Sequence, residues 1–265
     1  MKPSKFFCSG MAIIFLIFSL IGLSSCAHKQ DDEKQWSVGL SYTISEDGKH
    51  YIVDGLGDCV DPNVYIPPIY NGLPVTELSG FNYIDTRFRL YLPNSITKIN
   101  DGSFYESSGL VALNFGNSVK NIGFETCNFG SVPSIYYEGT LEEWCEIDIE
   151  NVHFGSNIHI QNELVTELII PKTISTVKRG TFYSFTNVTK IIIPTNVLNI
   201  EEYAFSNCLS VEEFYFEDIT SIWQFNLYQQ TINFTAKELN NGVAYKYLIG
   251  GSGPKNTGYP CSKLS

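Results

Sequence analysis

One stretch of this chain recurs at a fixed interval, and that recurrence limits the fold more than any other feature. Val165-Thr166-Glu167-Leu168-Ile169-Ile170-Pro171 is matched by Val188-Thr189-Lys190-Ile191-Ile192-Ile193-Pro194. Each copy is followed at equal distances by Ile174 or Val197, by Val177 or Ile200, and by Phe182 or Phe205. The two prolines, like the two phenylalanines, are 23 residues apart. An earlier pair keeps the spacing: Leu92-Pro93 with Ile96, Ile99 and Phe104, then Phe115-Gly116 with Val119, Ile122 and Cys127. A period of this length is the signature of stacked supersecondary units, a solenoid. Units of that kind touch mainly their neighbours, which moves the functional question from a pocket to a long surface.

Inside a unit, Leu168 and Ile170 alternate and therefore share the inward face of a short strand. Pro171 or Pro194 ends that strand, because proline cannot donate to a ladder. Asn94-Ser95 and Thr195-Asn196 supply turn chemistry, and two further apolar anchors and a phenylalanine follow. No single unit can bury so many large side chains, so several repeats and two caps are required. Thr140-Leu141-Glu142-Glu143 is a capping box ahead of Trp144 and Ile147 and predicts a short helix. Glu142 and Glu143 point in different directions on it and cannot serve one substrate as a pair. Ile158-His159-Ile160 and Val165 to Ile170, separated by Gln161-Asn162-Glu163, predict a strand returning into the next repeat.

These units resemble the BspA-type leucine-rich repeat, whose pattern runs Leu-x-x-Ile-x-Ile-Pro-x-x-Val-x-x-Ile-x-x-x-Ala-Phe-x-x-Cys. The best copy is Val188 to Cys208, and the resemblance extends over roughly residues 40–222. It includes Val64-Tyr65-Ile66-Pro67, Asn71-Gly72-Leu73-Pro74 and the insert Ile135 to Trp144. The departures are local, such as Cys127 in a phenylalanine column. The fold class expected is a mainly β repeat solenoid. Its parts are an N-terminal capping module at 37–63, repeats at 64–222 with an insert at about 138–160, and a C-terminal cap at 223–265. Phe225, Leu227, Tyr228, Ile232 and Phe234 are the cap's expected core.

The first 25 residues read as a secretory signal: Lys2 and Lys5, then an apolar run from Met11 to Leu23, too short for a membrane span. Leu23-Ser24-Ser25-Cys26 resembles the lipobox of bacterial lipoproteins, which implies lipidation at Cys26 and a polar tether at 26–36. Asp31-Asp32-Glu33 is similar to a surface-export signal, which implies an outer-membrane protein facing the exterior. Without the signal the chain carries 15 basic and 28 acidic residues, net −13. Such a surface repels phosphate backbones, so nucleic acid is not an expected partner. Five cysteines (Cys59, Cys127, Cys145, Cys208 and Cys261) then remain, an odd number without CxxC spacing, so no zinc site is indicated.

No catalytic motif is present: no HExxH, GxSxG or GxGxxG. His28, His50, His153 and His159 are isolated in sequence. Gly250 to Pro254 is a loop without the lysine and helix of a phosphate cradle. After Ile222 only Glu238 is acidic and no histidine occurs, which argues against a hydrolase site there. No enzyme, cofactor or metal is expected. The candidate site is the outward strand face. One row is Tyr91, Asn114, Tyr136, Ile169, Ile192 and Tyr215. Beside it run Arg89, Ala112, Ser134, Glu167, Lys190 and Glu213, all expected on one sheet. Aromatics next to a polar row suit a binding surface, yet β-propensity alone also places Tyr and Ile on sheets. The resemblance implies adhesion to host proteins or other bacteria; exposed aromatics beside polar groups leave a glycan-binding or scaffold accessory lipoprotein of the outer membrane as the alternative.

Overall fold

The computed structural model describes residues 35–123, 134–150, 157–227, 230–249 and 258–264. The signal and the tether as far as Lys34, with Cys26 and His28, together with Cys127, His153, Tyr228 and the Gly250–Pro254 loop, lie outside the described residues. Among those described, the chain is a mainly β solenoid with two strands per repeat. The first strand of each repeat carries the Leu-x-Leu alternation: Asn63–Tyr65, Phe88–Tyr91, Leu110–Phe115, Ser134–Tyr137, Asn157–Ile160, Glu167–Ile169, Lys190–Ile193 and Glu213–Phe216. A turn closed by hydrogen bonds such as Ile174 N to Pro171 O (3.0 Å) and Val197 N to Pro194 O (3.2 Å) follows the proline. The short second strand, for example Lys98–Ile99, Thr176–Val177 or Asn199–Ile200, runs on the other side of the core. Like strands pair in parallel across repeats.

The repeated letters are the core. Leu168, Ile170, Val177, Phe182, Val188, Ile191, Ile193, Val197, Ile200 and Phe205 are all buried. Phe182 and Phe205 stack with centroids 5.5 Å apart and planes 8° from parallel. Phe182 is thus covered by its own counterpart one repeat away, and parallel pairing sets Leu168 against Ile191 in the same way, so here the period and the packing coincide. Cys59, Cys145, Cys208 and Cys261 are buried free thiols. Burial pushes the Cys145 and Cys208 thiols up to about 12, so these residues act as small apolar fillers.

Among the described residues the strand ladders of the stack break at one place. The strand Asn157–Ile160 does not lead straight into the next repeat. Gln161 and Asn162 both adopt positive φ (51° and 66°) and turn the chain back, so that Glu163–Leu164 pairs antiparallel with it. This hairpin occupies the edge of a six-stranded sheet, and Glu167–Ile169 opens a separate three-stranded one. Side chains bridge the gap. Trp144, fully buried at the end of the helix Leu141–Cys145, donates from Nε1 to Thr181 O at 2.9 Å. Asn187 accepts from Ile158 N (3.1 Å) and donates to Val165 O. Lys178 reaches Asp148 at 2.8 Å. The capping box starting that helix is formed: Glu143 N donates to Thr140 Oγ1 (3.2 Å) and Thr140 N to Glu143 Oε2 (2.8 Å).

Both ends of the strand-face sheets are closed by single residues whose polar groups imitate a further strand. At one end Ser37 N donates to Tyr65 O (2.9 Å) and Ser37 Oγ accepts from Tyr65 N (3.1 Å). At the other, Asn240 accepts from Phe216 N (2.7 Å) and donates to Phe216 O (3.1 Å). The C-terminal segment contributes a strand of its own, Cys261–Lys263, inserted antiparallel between Asn199–Ile200 and Ile222–Leu227. In the cap, Trp223, Phe225, Leu239, Leu248 and Ile249 are buried, whereas Leu227, Ile232 and Phe234 are only partly so.

Lys263 ties that strand down by donating to Asp218 Oδ2 at 2.7 Å. This bond, with a second from the Thr220 hydroxyl, lowers the Asp218 carboxyl from 3.8 to about 2. A depressed carboxylate pKa contributes stability above its unfolded value and loses it as pH falls through the folded one. The clasp should therefore hold at neutral pH and loosen as pH drops from about 4 to about 2. Pepsin cleavage near Cys261–Lys263 should rise across that window, and an Asp218→Asn variant should show no such step. Equal pH dependence in the two proteins would refute this role.

Candidate binding surface

The outward row begins one strand earlier than expected from the sequence, at Tyr65 rather than Tyr91, and has a different shape. In the six-stranded sheet the cross-strand partners are Tyr65, Tyr91, Asn114, Tyr136 and His159 in succession. In the three-stranded sheet they are Ile169, Ile192 and Tyr215. The two rows do not join on one sheet, because Leu164 of the hairpin, not Ile169, lies opposite His159. The expected single stripe is thus two, divided by the antiparallel return.

Tyr65 and His159 were not assigned to the row by sequence. The signal was there: Val64-Tyr65-Ile66-Pro67 has the frame of Leu90-Tyr91-Leu92-Pro93, and Ile158-His159-Ile160 repeats the alternation. Tyr65 and Tyr91 stack at 4.3 Å and 16°, Tyr136 and His159 at 4.3 Å and 14°. His159 is therefore not isolated; its Nδ1 also lies 3.3 Å from Ile135 O. Nor is His50, which sits 3.3 Å from Glu77 and 3.6 Å from Asp47 and clasps the N-terminal hairpin to the first repeat.

Between the two stacks stands Asn114, whose Nδ2 donates to Leu90 O at 3.1 Å. Burial, and after it the neighbouring Tyr65 hydroxyl, raise the Tyr91 pKa; Arg89 pulls it down and Tyr136 adds slightly to the rise. The four groups are thus within electrostatic reach of one another. In the flanking row Arg89 is exposed, Ser134 is half-buried and Ala112 is buried beneath its neighbours. On the second sheet Glu167, Lys190 and Glu213 are in register, with Lys190 and Glu213 joined at 3.1 Å. Ile169 (52 % exposed) and Tyr215 (38 %) are open to solvent.

In this chain the repeat keeps its apolar letters and its turn while varying the outward ones. The model of the BspA type leucine rich repeat region matches residues 79–160 and 152–245, in six copies. The chain belongs to this family. Among solved structures, a leucine-rich cell-surface protein of Faecalibacterium prausnitzii A2-165 is 15% identical, with 72% of this chain and 57% of that chain covered at a TM-score of 0.43. This BspA-type chain therefore spans little more than half the length of that protein. A leucine-rich repeat protein of T. pallidum is 16% identical (65% and 88% covered, TM-score 0.36). The pneumococcal vaccine antigen PcpA is 14% identical (68% and 69% covered, TM-score 0.26). No curated protein matches. In the BspA-type repeats seen here, the residues held constant face the core, and those free to change face solvent.

Proposed function

We propose that this protein is a lipid-anchored, outward-facing surface protein that binds other molecules and performs no chemistry. Its repeat family supports a general role in protein binding or adhesion. The observation that carries the reading is the outward row, where two stacked aromatic pairs and an exposed arginine stand on a rigid sheet. Rigid aromatics lose little conformational entropy on binding and supply large contact area. Attachment through Cys26 and export led by Asp31-Asp32-Glu33 complete the proposal and place the row outside the outer membrane. Protease shaving of intact cells tests the orientation.

Replacing Tyr91, Tyr136 and Tyr215 together by alanine should abolish capture of host-extract ligands by the 27–265 fragment. Stacked pairs add about 0.5–1.5 kcal/mol each beyond burial, so the variant should be less stable but still folded by circular dichroism. Undiminished capture by the folded variant would remove the row from the function. A second reading, recognition of glycans, is favoured by the aromatic faces bordering Asn114.

A further inference from the structure

The aromatic row has one gap, and the gap has the dimensions and charge of a sugar subsite. Tyr65 covers one face of Tyr91 and His159 covers one face of Tyr136, both nearly parallel to their partners. The remaining faces of Tyr91 and Tyr136 look at each other across Asn114, the cross-strand partner of both. Neighbouring strands are about 4.8 Å apart, so these faces stand roughly 9.5 Å apart. A flat group touching both at ~3.5–4.0 Å would span only about 7–8 Å. The surplus suits a puckered, saturated ring, whose axial hydrogens thicken it, better than an aromatic or guanidinium plane.

The ends of the gap differ in charge. Arg89 lies two residues before Tyr91 on the same face, is exposed, and has no ion pair among the described residues, while its charge is felt at the Tyr91 hydroxyl. At the opposite end the exposed Glu138 brings Oε2 close to Gly116, 3.5 Å from where a Cβ would stand. At the floor, Asn114 is tied by its Nδ2, which leaves Oδ1 as an acceptor for a hydroxyl. A carboxylate is attracted to the Arg89 end, where a planar fork can bind it in two-point fashion, and repelled from the Glu138 end.

We propose that the gap between Tyr91 and Tyr136 is a subsite for a carboxylated pyranose, held between the two tyrosine faces with its carboxylate on Arg89. This rests on the outward face being the binding surface and names the chemistry of its ligand. The test is titration calorimetry of the detergent-solubilised full chain with methyl glucuronide, the methyl glycoside of sialic acid, and neutral methyl glucoside. At least one acidic sugar should bind about tenfold or more tightly than the neutral one, and whichever binds identifies the uronic or the sialic source. Arg89→Gln should bring acidic and neutral sugars level. Asn114→Tyr should complete the aromatic row, leave the melting temperature unchanged or higher, and abolish sugar binding. Failure of both acidic sugars, or binding retained by Asn114→Tyr, would overturn the proposal. If Asn114→Tyr still captures host ligands while the triple tyrosine variant does not, the binding surface stands and the sugar subsite falls.

Discussion

Trp144→Ala is expected to destabilise the protein by about 3–5 kcal/mol, the usual range for removing a large buried aromatic, and to split its unfolding into two steps. Trp144 is fully buried and contacts rings on both sides of the interruption. Phe115 and Tyr137 lie at 6.1 and 5.4 Å on the N-terminal side, and Phe185 at 5.7 Å on the C-terminal side. Its Nε1 bond to Thr181 O also crosses the junction. In a stacked array, cooperativity passes through nearest-neighbour contacts, and here the strand ladders stop between the two sets of sheets. Side chains therefore carry the coupling, and Trp144 is the largest of them. Urea unfolding followed by circular dichroism reports the whole chain. In a Trp36→Phe background, the fluorescence of buried Trp223 reports the C-terminal part. In the variant the two curves should separate. Coincident curves with a loss under about 1 kcal/mol would show that the junction is held elsewhere. Trp144→Phe keeps a ring but orphans the Thr181 carbonyl, and should lose about 1–3 kcal/mol.

Gly80→Ala is expected to be nearly as damaging, about 2–5 kcal/mol, from a left-handed conformer of about 1–2 kcal/mol and overpacking of about 1–3. Gly80 has φ +67°, and a Cβ there would stand 2.5 Å from the Asp54 carbonyl carbon and closer still to its oxygen. The obstacle is backbone, and Ser79 N donating to Val53 O at 2.8 Å holds the two chains together. Accommodation must push the hairpin of Ser41–Ile44 and Tyr51–Gly55 off the first repeat. Amide exchange should accelerate in Tyr51–Gly55 while Val188–Phe205 stays protected. Gly72→Ala is the control: φ is +82° but nothing lies within 4 Å, so only the conformer penalty applies. Equal effects at the two sites would rule out the close approach as the cause.

The core was readable because a solenoid residue is packed against its own copy. Ile174 predicts Val197, and Phe182 predicts Phe205, from spacing alone. The capping box at Thr140 was equally readable, because both of its hydrogen bonds span three residues. The candidate surface was readable only in part. Tyr91, Asn114 and Tyr136 fell into register as expected, since alternation fixes which side faces out. Tyr65 and His159 sit in strands whose repeat is degenerate, and their stacking depends on cross-strand register over about one repeat.

Three features had no counterpart in the repeat pattern. One is the antiparallel return at Gln161-Asn162, set by two positive-φ residues. Another is the insertion of Cys261–Lys263 beside Asn199–Ile200, a pairing across some sixty residues. The last is the placing of Ser37 and Asn240 at the sheet ends. All three depend on which backbone groups are left unpaired once the stack has formed. Sequence alone determined that the chain is a BspA-type solenoid and which side chains it buries, because period-23 packing is encoded locally. Only the tertiary structure decided where the sheet breaks, and so that the outward face is two surfaces with an aromatic-walled gap in the first. Those outcomes follow from edge pairing between residues distant in the chain, which no local pattern records.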